Sequence, residues 1–320
     1  MKKQLTDEEI LEKYREAFER YARDGVIDLD KRLRFKFYFQ VHRLEDVVLK
    51  LNGIVPPNRQ SMYYIMLYKR CAARKWVGVF NFPIKDNTLV LIPKRTIHST
   101  LYECRQCSGY ILNFNIDFFL HHAFPRKYIV EKKVFKASLR PWLILSDPDQ
   151  KMLEGIFEQV VHENVSELRG KNQMIALKIL ELLIYCDRLF GKAEAIGKVP
   201  VYHPQIERFN TLLEKHFSSE QEVSYYAAAL NIKPGYLNNL VKRHNGMSVK
   251  KVITARLLME AQVLLATTAF SVSEIAGRLG FPNSNHFTNF FTRKANISPT
   301  RYRTTVTAMR AVKKKTKRAR

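Results

Sequence analysis

Two stretches in the last third of the chain place amide, hydroxyl and basic side chains at the spacing of one helix face. Asparagine can form two hydrogen bonds to the N6 and N7 atoms of adenine, and lysine and arginine bind phosphate oxygens. We therefore expect DNA contacts here, although a solvated helix surface is the alternative for each asparagine. The nine candidates are Asn238, Asn239, Lys242, Arg243, Ser284, Asn285, His286, Asn289 and Arg293.

The element that positions the second set lies within residues 271–303. Ser271 and Glu274 have the spacing of a capping box, which predicts the start of a helix. Gly280 can adopt a positive φ and end that helix, and Asn283 can cap the next one. Apolar residues of this next helix recur at i, i+3 and i+4, so its other face stays polar. They are Phe287, Phe290 and Phe291. Two short helices joined by a tight glycine turn predict a helix-turn-helix unit.

The same pattern occurs about 50 residues earlier, within residues 222–253. Leu230 matches Leu279 at an offset of 49, and Arg243 matches Arg293 at an offset of 50. Such self-similarity at a fixed period indicates a duplicated unit of secondary structure. We predict one helix-turn-helix unit at 222–245 and another at 271–294, joined by a long helix over Val249–Leu265.

Residues 205–304 resemble the DNA-binding domain of the AraC/XylS transcriptional regulators. The motifs that carry the resemblance are YYAAALNIKPGYLNNLVKRHNGMS, RLLMEAQVLLATTAFSVSEIAGRLGF and HFTNFFTRKANISPTRYR. The resemblance implies two recognition helices in successive major grooves. Asn239 and Asn289 occupy a position that often carries a base-reading arginine in that family, which favours A·T pairs in the DNA site. Lys233-Pro234-Gly235 departs from the family pattern, and Gly235 offers no side chain to a base.

Composition supports a polyanionic partner. The 320 residues carry a formal net charge of +24, with 20 Lys and Arg against 6 Asp and Glu from Pro204 onward. Such a balance favours DNA through counterion release, although solubility or another polyanionic surface would also explain it. We find no signal peptide and no run of 18 apolar residues, and four cysteines in this length fit a reducing cytosol. The basic tail, residues 305–320, is expected to be disordered and to add phosphate contacts.

The N-terminal region predicts a second domain. We assign 1–59 to an extension with a helix over residues 6–24 and an aromatic, basic strand near Leu33–Phe39, for which a nucleic-acid platform is the alternative. Short β-like runs punctuated by Gly, Pro, Asp and Asn follow within 60–190, and they predict a sandwich or small barrel. Residues 60–125 also resemble, more loosely, the cupin-like sensor domain of many AraC-type regulators.

Two helices complete the N-terminal domain in this prediction. One begins at Asp147-Pro148 and runs to about Val165, and the other spans Lys171–Leu189 with an apolar face. That face packs on its own barrel or forms a homodimer through residues 171–189, as the resemblance implies. Residues 191–204 are predicted to be a linker, because they combine glycine and proline with no apolar stripe.

Other candidate chemistry is weak. Cys104 and Cys107 form a lone CxxC pair without the second pair that structural zinc needs, so inert thiols are favoured over a redox switch. His98 is expected in the core or a pocket, and His121-His122 has no evident partner. We predict neither a cofactor nor a metal, and find no glycine-rich phosphate loop or nucleophile elbow.

The sequence as a whole predicts an α+β protein: a β-rich, cupin-like domain with flanking helices, then an all-α domain with two helix-turn-helix units. Its expected function is that of a cytoplasmic, nucleoid-associated, sequence-specific regulator of transcription and not of an enzyme. The expected partners are double-stranded DNA, RNA polymerase and a small-molecule effector in the N-terminal domain, with no membrane. A non-specific architectural binder and a cupin-type enzyme with a DNA-binding domain remain alternatives.

Overall fold

The computed structural model describes residues 39–48, 53–104, 106–120, 135, 140–197 and 203–305. The predicted helix over residues 6–24, the strand before Phe39, the His121-His122 pair and residues 306–320 of the basic tail lie outside these ranges. Within them, an N-terminal β-sandwich with helices on one side is followed by an all-helical domain. The α+β class and this order of domains agree with the prediction.

The sandwich consists of two antiparallel sheets. One sheet has five strands in the order β1-β8-β3-β6-β9, and the other has four in the order β2-β7-β4-β5. The strands are β1 Phe39–Arg43, β2 Ile54–Arg59, β3 Tyr63–Arg70, β4 Ala73–Val77, β5 Phe80–Ile84, β6 Thr88–Ile92, β7 Ile97–Tyr102, β8 Ser108–Phe114 and β9 Trp142–Ile144.

Strand β3 explains the layered core, because it is buried on both faces. Tyr64, Met66 and Tyr68 point into the space between the sheets, whereas Ile65 and Leu67 join the apolar cluster beneath the helices. Alternating side chains point to opposite faces of a strand, so a run that is apolar throughout fits a strand covered on both sides.

Two of the four helices in the N-terminal domain, the long ones, were predicted from the sequence. Helices α1 (Leu44–Val48) and α2 (Ile116–Leu120) are short, and α3 (Asp147–Val165) and α4 (Lys171–Ala195) are long. The Ser146 hydroxyl accepts a hydrogen bond from the Asp149 N–H at the start of α3. Phe157 of α3 and Ile179 of α4 are buried in the cluster against the sheet, so packing on the sandwich is confirmed for both helices.

Two domain limits and one strand differ from the sequence prediction. Ile54–Arg59 forms β2 and pairs with β7, so the end of the predicted extension 1–59 belongs to the sandwich. Helix α4 runs on to Ala195 through the first part of the predicted linker 191–204, because Ala193 is still buried on its apolar face. Strand β7 was not predicted, since its buried residues include His98, Ser99 and Thr100, which do not read as apolar.

The C-terminal domain contains six helices in the described residues up to Ala295, and residues 299–305 are also helical. None of the described helices is long and apolar enough to span a bilayer. The six are α5 Pro204–His216, α6 Val223–Ala229, α7 Pro234–Asn245, α8 Val249–Thr267, α9 Val272–Arg278 and α10 Ser284–Ala295.

Helix α8 packs against both halves of this domain and also against the sandwich. Ile54 of β2 and Leu101 of β7 share an apolar cluster with Leu257 and Ala261 of α8. On the polar side of this contact, Arg59 forms an ion pair with Glu260 at 2.5 Å. Helix α8 therefore forms part of the contact between the two domains.

Candidate nucleic-acid interface

The second helix-turn-helix unit has the local structure that its sequence predicts. The Ser271 side chain accepts from the Glu274 N–H, and the Glu274 carboxylate accepts from the Ser271 N–H, which completes a capping box. Gly280 has a φ of +75° in the turn. Asn283 caps α10 by accepting from the His286 N–H at 3.0 Å. Because both helix ends are fixed by local bonds, α10 leaves the turn in a defined direction.

The first unit repeats this turn almost bond for bond. Asn231, which corresponds to Gly280 at the offset of 49, has a φ of +55°. The Ile232 N–H donates to the Ala227 carbonyl at 3.0 Å, and the Phe281 N–H donates to the Ala276 carbonyl at 2.9 Å. Asparagine tolerates the left-handed region better than most residues, so it can stand where the second unit has glycine. The duplication read from the sequence is therefore present in the structure.

Helix α10 presents its predicted reading face to solvent. Phe287 and Phe291 are buried in the core of the unit. The opposite face contains the polar candidates of the second unit, of which Ser284 is half-buried and the others are exposed. They are Ser284, Asn285, His286, Asn289 and Arg293.

Helix α7 presents a similar face, with one exception. Asn239, Lys242 and Arg243 are exposed, but Asn238 is half-buried. The Asn238 Oδ1 atom accepts from the Val249 N–H at 3.1 Å, at the start of α8. This bond engages the amide oxygen in the fold, because the first N–H groups of a helix have no partner within it. The oxygen of Asn238 thus supports the start of α8, and base reading by this residue stays a prediction.

Tyr236 is an exposed residue of α7 that was not among the nine candidates for DNA contact. Its side chain is 45% exposed at the start of α7, next to Gly235. At the offset of 50 it corresponds to His286 of α10, so the repeat itself could have identified it. An exposed aromatic ring at this point can make apolar contact with the methyl group of thymine. The first unit therefore has an exposed aromatic side chain beside the glycine that lacks one.

The basic residues on the two helices are electrostatically available. Lys242, Arg243 and Arg293 form no ion pair with any residue that the structure describes. Lys250 of α8, in contrast, is paired with Glu222 at 2.8 Å. Cations without carboxylate partners near a polar helix face suit phosphate oxygens, which supply much of the affinity for DNA.

Helix α8 sets the separation of the two units. It contains 19 residues, which corresponds to a length of ~28 Å at 1.5 Å per residue. Its first turn is capped by Ser248, whose hydroxyl accepts from the Lys251 N–H. A rigid connection of this length is compatible with two recognition helices spaced by one turn of DNA, about 34 Å.

The structure also shows the surroundings of His98 and of the CxxC cysteines, which lie in the sandwich. His98 is buried between the sheets, as expected, with its ring 5.3 Å from that of Tyr64. The CxxC pair is not isolated, because Cys71 forms a disulfide bond with Cys107 and Cys104 lies beside it. The interpretation of these cysteines as inert thiols was wrong, because Cys107 is disulfide-bonded. No local pattern showed the pairing, since Cys71 is 36 residues away in sequence from Cys107.

Comparison with known proteins identifies relatives of the C-terminal half. The family described as "Helix-turn-helix domain" matches residues 226–305. The transcriptional activator RhaS of Salmonella schwarzengrund (strain CVM19633) is 35% identical over 149 residues, which cover 47% of this chain and 51% of its own. RhaS of Enterobacter sp. (strain 638) is 25% identical over 154 residues, which cover 47% and 54%. The chain spans about half the length of the curated relatives it matches.

Solved structures give a similar picture at lower similarity. ToxT from Vibrio cholerae aligns over 84% of this chain and 99% of its own, with 13% identity and a TM-score of 0.42. The C-terminal domain of AraT from Geobacillus stearothermophilus covers 32% of this chain and 84% of its own, with 31% identity and a TM-score of 0.31. Because these TM-scores are low, the similarity to AraC-type regulators rests on the matched sequence and on the duplicated unit. Residues 226–305 therefore carry a helix-turn-helix domain, and about half of the chain is similar to the AraC-type activator RhaS.

Proposed function

We propose that the protein is a sequence-specific DNA-binding regulator of transcription that reads two successive major grooves. The observation that carries this proposal is the pair of matching helix-turn-helix units on one connecting helix, each with an exposed polar face. A single helix-turn-helix unit would be weak evidence, because many small helical domains contain two short helices joined by a turn. Two units joined by a helix of 19 residues, ~28 Å long, are compatible with the ~34 Å repeat of the double helix.

The nine candidate residues divide into two roles. Asn239, Asn285 and Asn289 face solvent with free amides and are assigned to bases, with Ser284 and His286 beside them. Lys242, Arg243 and Arg293 lie in the last turns of their helices and are assigned to phosphates. Tyr236 joins the base-reading set, and Asn238 remains a predicted member, with its oxygen bonded to the Val249 N–H.

The test is binding-site selection from random DNA, followed by a substitution in α10. Asn289→Ala should weaken binding by about 1–3 kcal/mol at one position of the selected site and relax the preference there. Asn172→Ala, at an exposed asparagine of α4 in the sandwich, is the matched control and should bind normally. Equal weakening on all DNA sequences, or selection of G·C at the asparagine positions, would contradict the assignment.

A non-specific, architectural binder is the second candidate, and the net charge of +24 supports it. The ratio of affinities for the selected site and for random DNA, at a stated salt concentration, separates the two. A specific regulator should show a ratio on the order of 10³ or more. A ratio near one would favour the architectural role.

The interior of the sandwich supports a role as an effector-binding domain. Lys75 is 1% exposed, and its ammonium group donates to the Thr100 hydroxyl at 2.8 Å. Among the residues that the structure describes, no carboxylate pairs with the Lys75 ammonium group. Both ring nitrogens of His98 also lack hydrogen-bond partners among these residues. Burial, with Lys75 nearby, holds the pKa of His98 well below its usual value. A small anionic effector would supply the acceptors that these groups lack.

The remaining proposals concern assembly and location. Met174 and Leu177 are exposed on α4, and exposed apolar side chains favour a homodimer through residues 171–189. Sedimentation of the chain and of a Leu177→Glu variant tests this: only the parent chain should form dimers. We further propose RNA polymerase as a partner, a cytoplasmic, nucleoid-associated location and action by binding without catalysis, all of which follow from the proposed role as a regulator.

A further inference from the structure

Three of the four cysteines come together at one end of the sandwich. Cys71 follows β3, Cys104 follows β7 and Cys107 precedes β8. Their three sulfur atoms all lie within 4.8 Å of one another, and the Cys104 and Cys107 sulfurs are 3.4 Å apart. Cys71 and Cys107 are buried and disulfide-bonded, whereas Cys104 is half-buried and free.

Backbone hydrogen bonds hold these segments together independently of the disulfide. The Glu103 N–H donates to the Ala72 carbonyl at 2.8 Å, which joins the segments that carry Cys104 and Cys71. The Cys71 N–H donates to the Asp86 carboxylate at 3.0 Å. Strands β3 and β8 pair up to Arg70 and Ser108, the neighbours of Cys71 and Cys107. The three sulfurs would therefore stay close when the disulfide is opened.

Backbone groups of Ala72 fix the position of the free cysteine. The Ala72 N–H donates to the Cys104 sulfur at 3.3 Å, and the Cys104 thiol donates to the Ala72 carbonyl at 3.7 Å. These contacts hold the sulfur beside the disulfide. Thiolates, and not thiols, are the form that binds metal ions.

The donor set selects the kind of ion. No histidine or carboxylate of the described residues joins the three sulfurs as a fourth ligand. A metal–sulfur bond of about 2.3 Å places the sulfurs about 4 Å apart in a three-coordinate site. With the disulfide closed, the sulfurs of Cys71 and Cys107 are bonded to each other and those of Cys104 and Cys107 are 3.4 Å apart, so opening the disulfide has to widen the cluster. Three thiolates without nitrogen or oxygen donors select soft ions such as Cu(I), and Zn²⁺ usually takes four ligands.

We propose that Cys71, Cys104 and Cys107 form a three-thiolate site for one soft, thiophilic metal ion of the Cu(I) class when the Cys71–Cys107 disulfide is reduced. A thiol or phosphine reductant supplies the two electrons that open the disulfide, and it is itself oxidised. The three thiols then release three protons as one ion binds. Reformation of the disulfide removes two of the three ligands and expels the ion. The site does not depend on the proposed role in DNA binding.

The test uses the full chain, reduced with a phosphine, freed of reductant without oxygen and titrated with Cu(I) against a coloured Cu(I) chelator. One copper ion per chain should be retained, and X-ray absorption should show sulfur ligands only. Chains with the disulfide intact should retain none. Retention should be lost in Cys104→Ser, which leaves the disulfide pair unchanged, and also in Cys71→Ser and Cys107→Ser.

Cys186→Ser is the matched control, because Cys186 is fully buried in α4 and is not one of the three clustered cysteines. Its copper binding should equal that of the parent chain. Copper retention by Cys104→Ser or by the oxidised chain, or no retention by the reduced parent chain, would overturn the proposal. Circular dichroism of each variant establishes that it is folded; Cys104→Ala replaces Cys104→Ser if the serine variant is not.

Discussion

At the residue scale, Arg256 is the central charged group between the two domains. Its side chain is 5% exposed and binds both oxygens of Glu214, at 2.8 and 3.0 Å, as well as Glu260 at 2.8 Å. The guanidinium also lies 3.9 Å from the centre of the Phe217 ring. Burial alone would lower the pKa of Arg256, but the two carboxylates outweigh it and raise the pKa. Since Glu260 also binds Arg59 of the sandwich, the network joins α5, α8 and β2.

The first prediction removes this guanidinium. Arg256→Met should lower the free energy of unfolding by about 1–3 kcal/mol, because the partly buried Glu260 carboxylate keeps only Arg59 and the exposed Glu214 loses two hydrogen bonds. Lys250→Ala, which breaks the exposed pair with Glu222, should cost less than about 1 kcal/mol. Urea unfolding of both variants measures the difference. Equal losses would mean that the buried network contributes no more than a surface pair.

The second prediction concerns Lys75, which burial alone gives a pKa of about 7. The unfolded chain keeps the ordinary, higher value, so it binds more protons than the folded chain between about pH 7 and 10.5. Stability should therefore rise with pH in this window, by at most ~1.4 kcal/mol per pH unit, and this contribution should be constant below it. Lys75→Met removes the cost of the buried charge and should abolish that part of the slope.

Urea unfolding at several values between pH 7 and 9.5 measures this effect as a difference between parent and variant. The window stays below the region in which tyrosines titrate, since burial raises the pKa of Tyr68 and Tyr102. Lys85→Met, at an exposed lysine of the same sandwich, should keep the slope of the parent chain. An unchanged slope in Lys75→Met would show that the ammonium group is solvated in the fold.

At the scale of elements, the glycine turn of the second unit fixes how the two units meet. A Cβ atom on Gly280 would lie 1.9 Å from the carbonyl oxygen of Ser218, in the segment that precedes α6. Gly280 also has a positive φ, at +75°. The second turn is therefore seated directly on backbone that leads into the first unit.

The third prediction follows from this contact. Gly280→Ala should lower the free energy of unfolding by about 3 kcal/mol or more, because left-handed strain adds to a clash with backbone. Gly246→Ala is the matched control: its φ is also +75°, but a Cβ there meets no atom within 4 Å. The control should cost about 1 kcal/mol from strain alone. Similar urea midpoints for the two variants would contradict the importance of the Ser218 contact.

The elements also show what the sequence could and could not predict. Caps and periodicity predicted α3, α8 and both helix-turn-helix units, because these signals are local. Strand β7 was missed since its polar residues are buried by partners that are distant in sequence. The bond from Val249 to Asn238 and the approach of Cys71 to Cys107 depend on tertiary contacts, which no local pattern contains. Tyr236 could have been predicted, because it corresponds in the repeat to the candidate His286.

At the scale of the whole molecule, the net charge of +24 predicts that the proposed DNA binding depends on salt. The fourth prediction is that Lys242→Ala lowers the slope of log K against log salt by about 0.9, the share of one phosphate contact. It should weaken binding to all sequences alike, in contrast to Asn289→Ala. Lys192→Ala, at an exposed lysine of α4, is the control for the loss of one charge. A changed base preference in Lys242→Ala would assign this lysine to a base.

Helix α8 has a further consequence for how such a chain can change in length. Each residue added to an α-helix rotates everything beyond it by about 100° and advances it by 1.5 Å. One inserted residue in α8 would turn the second recognition helix toward a different side of the DNA, even if both units folded normally. Seven inserted residues would nearly restore the rotation but move that helix by about 10 Å, roughly three base pairs. The length of α8 therefore fixes both the distance and the rotation between the two recognition helices. Insertions should be tolerated in surface loops but not within α8.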